Sequence, residues 1–156
     1  MSFIVSGLSP APFQSLFGLS DEALAQHGAV RRIAQADGRY PCRISLQDAA
    51  PGESLLLLNY EHLDAASPYR SRHAIYVNEA ASETRVFEGE VPAVLRGRPI
   101  ALRAYDAEGM MVWAELVSPD QDIEAAIHRG LAEPDVQYLH AHNPARGCYA
   151  ARIDRA

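Results

Sequence analysis

The run Leu55-Leu56-Leu57-Leu58 constrains this sequence more than any other stretch. It is the longest unbroken aliphatic segment, far short of the ~20 residues a membrane-spanning helix needs. A turn cluster, Asp48-Ala49-Ala50-Pro51-Gly52-Glu53, precedes it, and the polar Asn59-Tyr60-Glu61-His62 leaves it. A short apolar run between turn signals reads as a strand, and one apolar on both faces reads as a central strand. Each leucine buried in full contributes about 2 kcal/mol from transfer alone, so residues 54–60 demand cover on both sides. The chain has 156 residues, 48% of them hydrophobic, enough for one core and too few for two comfortable ones.

The flanking patterns fill in the rest. Ser20-Asp21-Glu22 reads as a helix N-cap with an acidic first turn, and Gly28 as the residue just past its end. Ser118-Pro119-Asp120-Gln121 reads as a capping box, and Ile123, Ile127 and Leu131 form one apolar stripe before Pro134. Cys42, Ile44 and Leu46 alternate with polar residues, predicting a half-buried strand with Cys42 as an inert core thiol. Segments 29–34 and 72–77 are strand-like, and Asp106-Ala107-Glu108-Gly109 predicts a hairpin between 100–105 and 110–117. Residues 136–142 and 148–153 predict a second hairpin. The expectation is a single α+β domain over residues 1–156, mostly antiparallel sheet with two principal helices.

Charge and composition exclude several functions. The 14 basic residues are all Arg, which removes every chemistry that needs a lysine, from the P-loop to the Schiff base. A net charge of −6 argues against nucleic acid as a partner, and no segment suits a membrane. The pairs Arg31-Arg32, Arg70/Arg72 and Arg96/Arg98 read as solvated edges. The N-terminal residues do not resemble a secretory signal, so Cys42 and Cys148 are expected as reduced thiols in the cytoplasm. No Cys-x-x-Cys, His-Glu-x-x-His, Gly-x-Gly-x-x-Gly or Gly-x-Ser-x-Gly occurs.

Two groups of residues remain for chemistry. If 143–147 form a five-residue loop, Cys148 lies opposite His142, and strand alternation puts His140, His142 and Cys148 on one face. Leu139, Ala141, Tyr149, Ala151 and Ile153 then take the core face. Two imidazoles and a thiolate are a competent zinc set; alternatively an imidazole accepts the Cys148 proton while Arg146 or Arg152 favours the thiolate. The same residues are ordinary polar strand positions if neither chemistry operates. The second group is Glu61, His62, Tyr69 and Arg70, just beyond the leucine strand. There Arg70 can clamp a carboxylate or phosphate with Tyr69 beside it, or simply pair with Glu61.

Several segments together carry a family resemblance: Pro41-Cys42-Arg43-Ile44-Ser45-Leu46, Leu57-Leu58-Asn59-Tyr60-Glu61-His62, Ser67-Pro68-Tyr69-Arg70, Gly109-Met110-Met111-Val112, Leu139-His140-Ala141-His142-Asn143 and Gly147-Cys148-Tyr149-Ala150-Ala151-Arg152. The chain resembles the bacterial domain-of-unknown-function family 1203 over nearly its whole length. The resemblance implies a bacterial, single-domain protein and brings no site residues. Three readings stand: a small metal- or thiol-dependent enzyme, a non-catalytic binder of an anionic small molecule, and an interaction protein pairing through a strand edge.

Overall fold

Nine strands and two helices make two antiparallel sheets in the computed structural model, which describes residues 1–156. In chain order they are β1 (Phe3–Ser6), α1 (Asp21–Gln26), β2 (Val30–Ile33), β3 (Ser54–Leu63), β4 (Ser71–Asn78), β5 (Val86–Glu88), β6 (Ile100–Tyr105), β7 (Met111–Val117), α2 (Ile123–Ala132), β8 (Tyr138–His142) and β9 (Tyr149–Arg155). The larger sheet runs β5-β1-β9-β8-β6-β7 and the smaller β2-β3-β4. The fold is α+β. No helix is long and apolar enough to cross a membrane.

The leucine run is the centre of the smaller sheet. Leu55, Leu56 and Leu58 are buried, while Leu57 is half-buried. Leu56 and Leu58 join Phe13, Leu24, Ile75 and Val77 in one core, with Tyr60 packed against it. The stripe of α2 covers the other sheet: Ile123, Ile127 and Leu131 share a second core with Leu139, Ala141, Ala151 and Ile153. Helix and sheet approach closely at Gly130, where a Cβ would meet the Trp113 ring at 2.9 Å. Contrary to the single core expected from chain length, the leucine strand and the α2 stripe lie in different cores, one under each sheet.

Three local expectations change. Residues 42–46 are a turn, not a strand. Cys42, Ile44 and Leu46 are buried as the alternation requires, but Leu46 has a left-handed φ of 54°, and the Cys42 sulfur accepts from the N–H groups of Ile44, Ser45 and Asn78. At α2 the Gln121 side chain does reach back to the Ser118 N–H at 2.7 Å. That contact only closes a turn. The helix starts one turn later, where Asp122 Oδ1 accepts from the Glu124 and Ala125 N–H groups. Third, the β8–β9 hairpin pairs His140 with Arg152 and, after a bulge, His142 with Tyr149.

Candidate functional site

That bulge decides what each face of the hairpin presents. Ala151 and Ile153 face α2, as expected, and the extra residue Ala150 joins the same core. Tyr149 is thereby turned onto the histidine face, the reverse of the sequence expectation. Cys148 is turned away from it. The predicted trio splits: His140 and His142 share a face with Tyr149, and Cys148 sits on the other side of the strand end.

On the histidine face the end of β3 closes over β8 and β9. His62 stacks on Tyr149 at 5.6 Å with 13° between ring planes. Its ring centroid is 5.0 Å from that of His142 and 6.0 Å from that of His140. Residues from the two predicted groups thus meet. Tyr69 approaches the same cluster through Tyr105, which lies 5.3 Å from His140. Arg70 does not: it donates to Glu61 at 3.3 Å, with Arg72 at 4.0 Å from the same carboxylate. Burial holds the three imidazoles neutral, with His62 pushed down to about 4, His142 to about 3 and His140 to about 2. The neighbouring Arg103 disfavours protonation of all three further. No group of three His, Cys, Asp or Glu residues is placed to hold a metal ion.

The other side of the hairpin opens on a cleft of about 370 Å³ between the sheets. Cys148 lies at its wall with Asn143, and four arginines surround it: Arg39, Arg43, Arg98 and Arg146. Arg43 is only 3% exposed. Its Nε donates to the Tyr149 carbonyl at 2.7 Å, Nη1 to the Pro41 carbonyl at 2.5 Å, and Nη2 to the Cys148 sulfur at 3.2 Å. Asn143 Nδ2 also donates to that sulfur, at 3.5 Å. Arg98 reaches Asp48 at 3.2 Å, and its Nε is buried without a partner. No carboxylate pairs with Arg39, Arg43 or Arg146. Burial lowers the pKa of Arg43, offset in part by the sulfur beside it. Four guanidiniums against one carboxylate make this a cationic recess in a chain of net charge −6.

A family model described as a protein of unknown function matches residues 39–155, well over half the chain. The chain belongs to the DUF1203 family. No curated protein and no solved structure matches it. The matched DUF1203 span begins at Arg39 and takes in all of the cleft and all three clustered histidines.

Sequence reasoning placed Cys148, His140, His142 and His62 among the candidates but missed Arg43, Arg98 and Asn143. Arg98 was read with Arg96 as a solvated edge; its side chain is 14% exposed. A signal existed in Pro41-Cys42-Arg43. Alternation points Arg43 away from the buried Cys42 and Ile44, but it cannot say that a second sheet lies on that side.

Proposed function

We propose that the chain binds a small oxyanion-bearing molecule, one with phosphate or carboxylate groups, in the arginine-lined cleft, with the Cys148 thiol facing the bound molecule. The observation that carries this reading is Arg43: a guanidinium taken out of water, with no carboxylate partner and its edge on an open cleft. A buried cation without a counter-charge is costly, and a bound anion is the ligand that relieves it. Arg98 supports the reading with an unused buried donor, and Arg39 and Arg146 add charge at the rim. Planar guanidiniums recognise carboxylate and phosphate through paired N–H donors, and a recess lined by one sign of charge concentrates the opposite sign. The volume suits a small metabolite rather than a macromolecule. The compartment in this reading is the cytoplasm of a bacterium; two free, separately buried thiols fit a reducing environment.

The test is a thermal melt of the wild-type chain in inorganic phosphate, sulfate or citrate against chloride at equal ionic strength. A ligand at 100 times its Kd stabilises by about 2.7 kcal/mol, readily seen in a melt. Arg98→Ala and Arg146→Ala should each reduce the shift, and Arg70→Ala should leave it intact. Alkylation gives an independent reading. Relative to a free thiol, Cys148 should prefer anionic iodoacetate over neutral iodoacetamide, and phosphate should protect it, while Cys42 stays unlabelled. No anion-dependent shift and no such preference would defeat the proposal.

A further inference from the structure

We infer that the Cys148 thiol exchanges with disulfides whose arms carry carboxylates, forming a mixed disulfide inside the arginine cleft. The inference rests on the anion site proposed above and names the class of molecule that reacts there. The first ground is the place of the sulfur. Cys148 lies in the cleft wall among Arg39, Arg43, Arg98 and Arg146. Its sulfur accepts from Arg43 Nη2 at 3.2 Å and from Asn143 Nδ2 at 3.5 Å, so its position is fixed by the same residues that line the cleft.

The second ground is the set of unused donors. A guanidinium has five N–H groups, and Arg43 uses three of them, one from each nitrogen. Its terminal nitrogens each keep one, in a residue only 3% exposed that lines the cleft. Arg98 Nε is likewise buried without a partner. Buried polar groups are nearly always satisfied, so these donors mark a missing acceptor, and paired planar donors match a carboxylate. One spare N–H sits on the nitrogen that touches the sulfur. A carboxylate held there brings the rest of its molecule to the thiol.

The lining also selects the reaction. No histidine or carboxylic acid lines the cleft to protonate an alkoxide leaving group, which counts against ester cleavage. A disulfide needs no such acid, because its leaving sulfur departs as a thiolate. The Cys148 thiol gives its proton to solvent, and the thiolate attacks one sulfur of the disulfide. A new S–S bond forms as the old one breaks, and the displaced thiolate is protonated by solvent. One thiol and one disulfide are consumed and one of each is formed. Cys42 does not resolve the product. Its sulfur is held in the other core by the N–H groups of Ile44, Ser45 and Asn78, so the adduct lasts until an external thiol arrives.

The test treats the reduced wild-type chain with oxidised glutathione, whose arms carry carboxylates, and with cystamine, whose arms carry ammonium groups. Adducts are located by peptide mass, and each rate is divided by that of the urea-unfolded chain. The expected result is one glutathione per chain, on Cys148 and not on Cys42, with a preference of about tenfold over cystamine. A chain of net charge −6 repels an acidic reagent, so such a preference comes from the cleft. Phosphate should slow the glutathione reaction. Arg146→Ala should lose most of the preference, and Arg70→Ala should keep it. No adduct on Cys148, or one formed without preference for the acidic disulfide, overturns the exchange. The phosphate melt is read separately: a shift there without an adduct overturns the exchange and leaves the anion site standing, whereas neither shift nor preference overturns both.

Discussion

Arg43 and Arg70 are treated in opposite ways by the structure, although the sequence offers Arg70 as an anion clamp and passes over Arg43. Arg70 lies in the loop after β3, exposed over 57% of its side chain and paired with Glu61 at 3.3 Å. Arg43 is buried under the β8–β9 hairpin and donates only to two carbonyls and a thiol. A guanidinium already holding a carboxylate has spent its fork; one held rigid by neutral acceptors keeps its charge for a visitor. What marks an anion site is an uncompensated arginine, not an arginine beside an aromatic ring.

The largest effect should come from Arg43. Arg43→Met removes the donors to Tyr149 O, Pro41 O and Cys148 Sγ, all in buried or partly buried surroundings. Stripping the partner from such groups costs roughly 3–5 kcal/mol. The comparison makes a sharper demand. In phosphate the gap between wild type and Arg43→Met should widen, because only wild type gains ligand stabilisation. A gap that is the same in phosphate and chloride would reduce Arg43 to a structural clasp.

Arg31 supplies the intermediate case. It pairs with Glu79 at 2.8 Å, and Glu79 also accepts from Ser54 Oγ and the Gly18 N–H. These bonds, Arg31 foremost, hold the Glu79 carboxyl at about 2 against an ordinary 4.5. With the folded value below the unfolded one, the stabilisation is complete above about pH 4.5 and lost as pH falls toward 2. Glu79→Gln should therefore cost about 2 kcal/mol at neutral pH, after allowance for screening. The cost should fade as denaturant melts are repeated from pH 5 down to 2.5. Phosphate should not alter it, since this arginine is compensated. A phosphate-dependent cost here would erase the distinction on which the cleft assignment rests.

Much of this arrangement was legible in advance, and the failures share one cause. Periodicity found the leucine strand, the α2 stripe and both hairpins, because each is a local pattern with a local reason. It put His140 and His142 on one face for the same reason. It failed at Tyr149, where a single extra residue in β9 turned that ring to the histidines and Cys148 to the arginines. No composition signal announces that bulge. It failed again at residues 42–46, where alternation described burial correctly but the backbone turns at Leu46. The meeting of His62 with His140 and His142 joins residues far apart in sequence across two sheets. Only the packing of β3 over β8 and β9 brings them together.

The smallest effect should be at Arg70, and it tests the comparison from its other end. The Glu61 carboxylate is held below its ordinary value chiefly by the hydrogen bond from Arg70, with burial opposing and Arg72 assisting. Exposed ion pairs are screened and have two long side chains to order, so their net contribution is small. Arg72 also remains near Glu61 at 4.0 Å once Arg70 is gone. Arg70→Ala should therefore move the melting midpoint by no more than about 2 °C in chloride. The shift produced by phosphate should be that of wild type. An anion clamp in the loop predicts the reverse: an unchanged melt in chloride and a lost response to phosphate. Because the two sites lie on different sides of the hairpin, the pair Arg70→Ala and Arg146→Ala in one phosphate titration assigns the anion to one or the other. If Arg70→Ala alone abolishes the response, the ligand belongs to Glu61, Tyr69 and Arg70, and the buried arginine keeps only its bonds to the thiol and the two carbonyls.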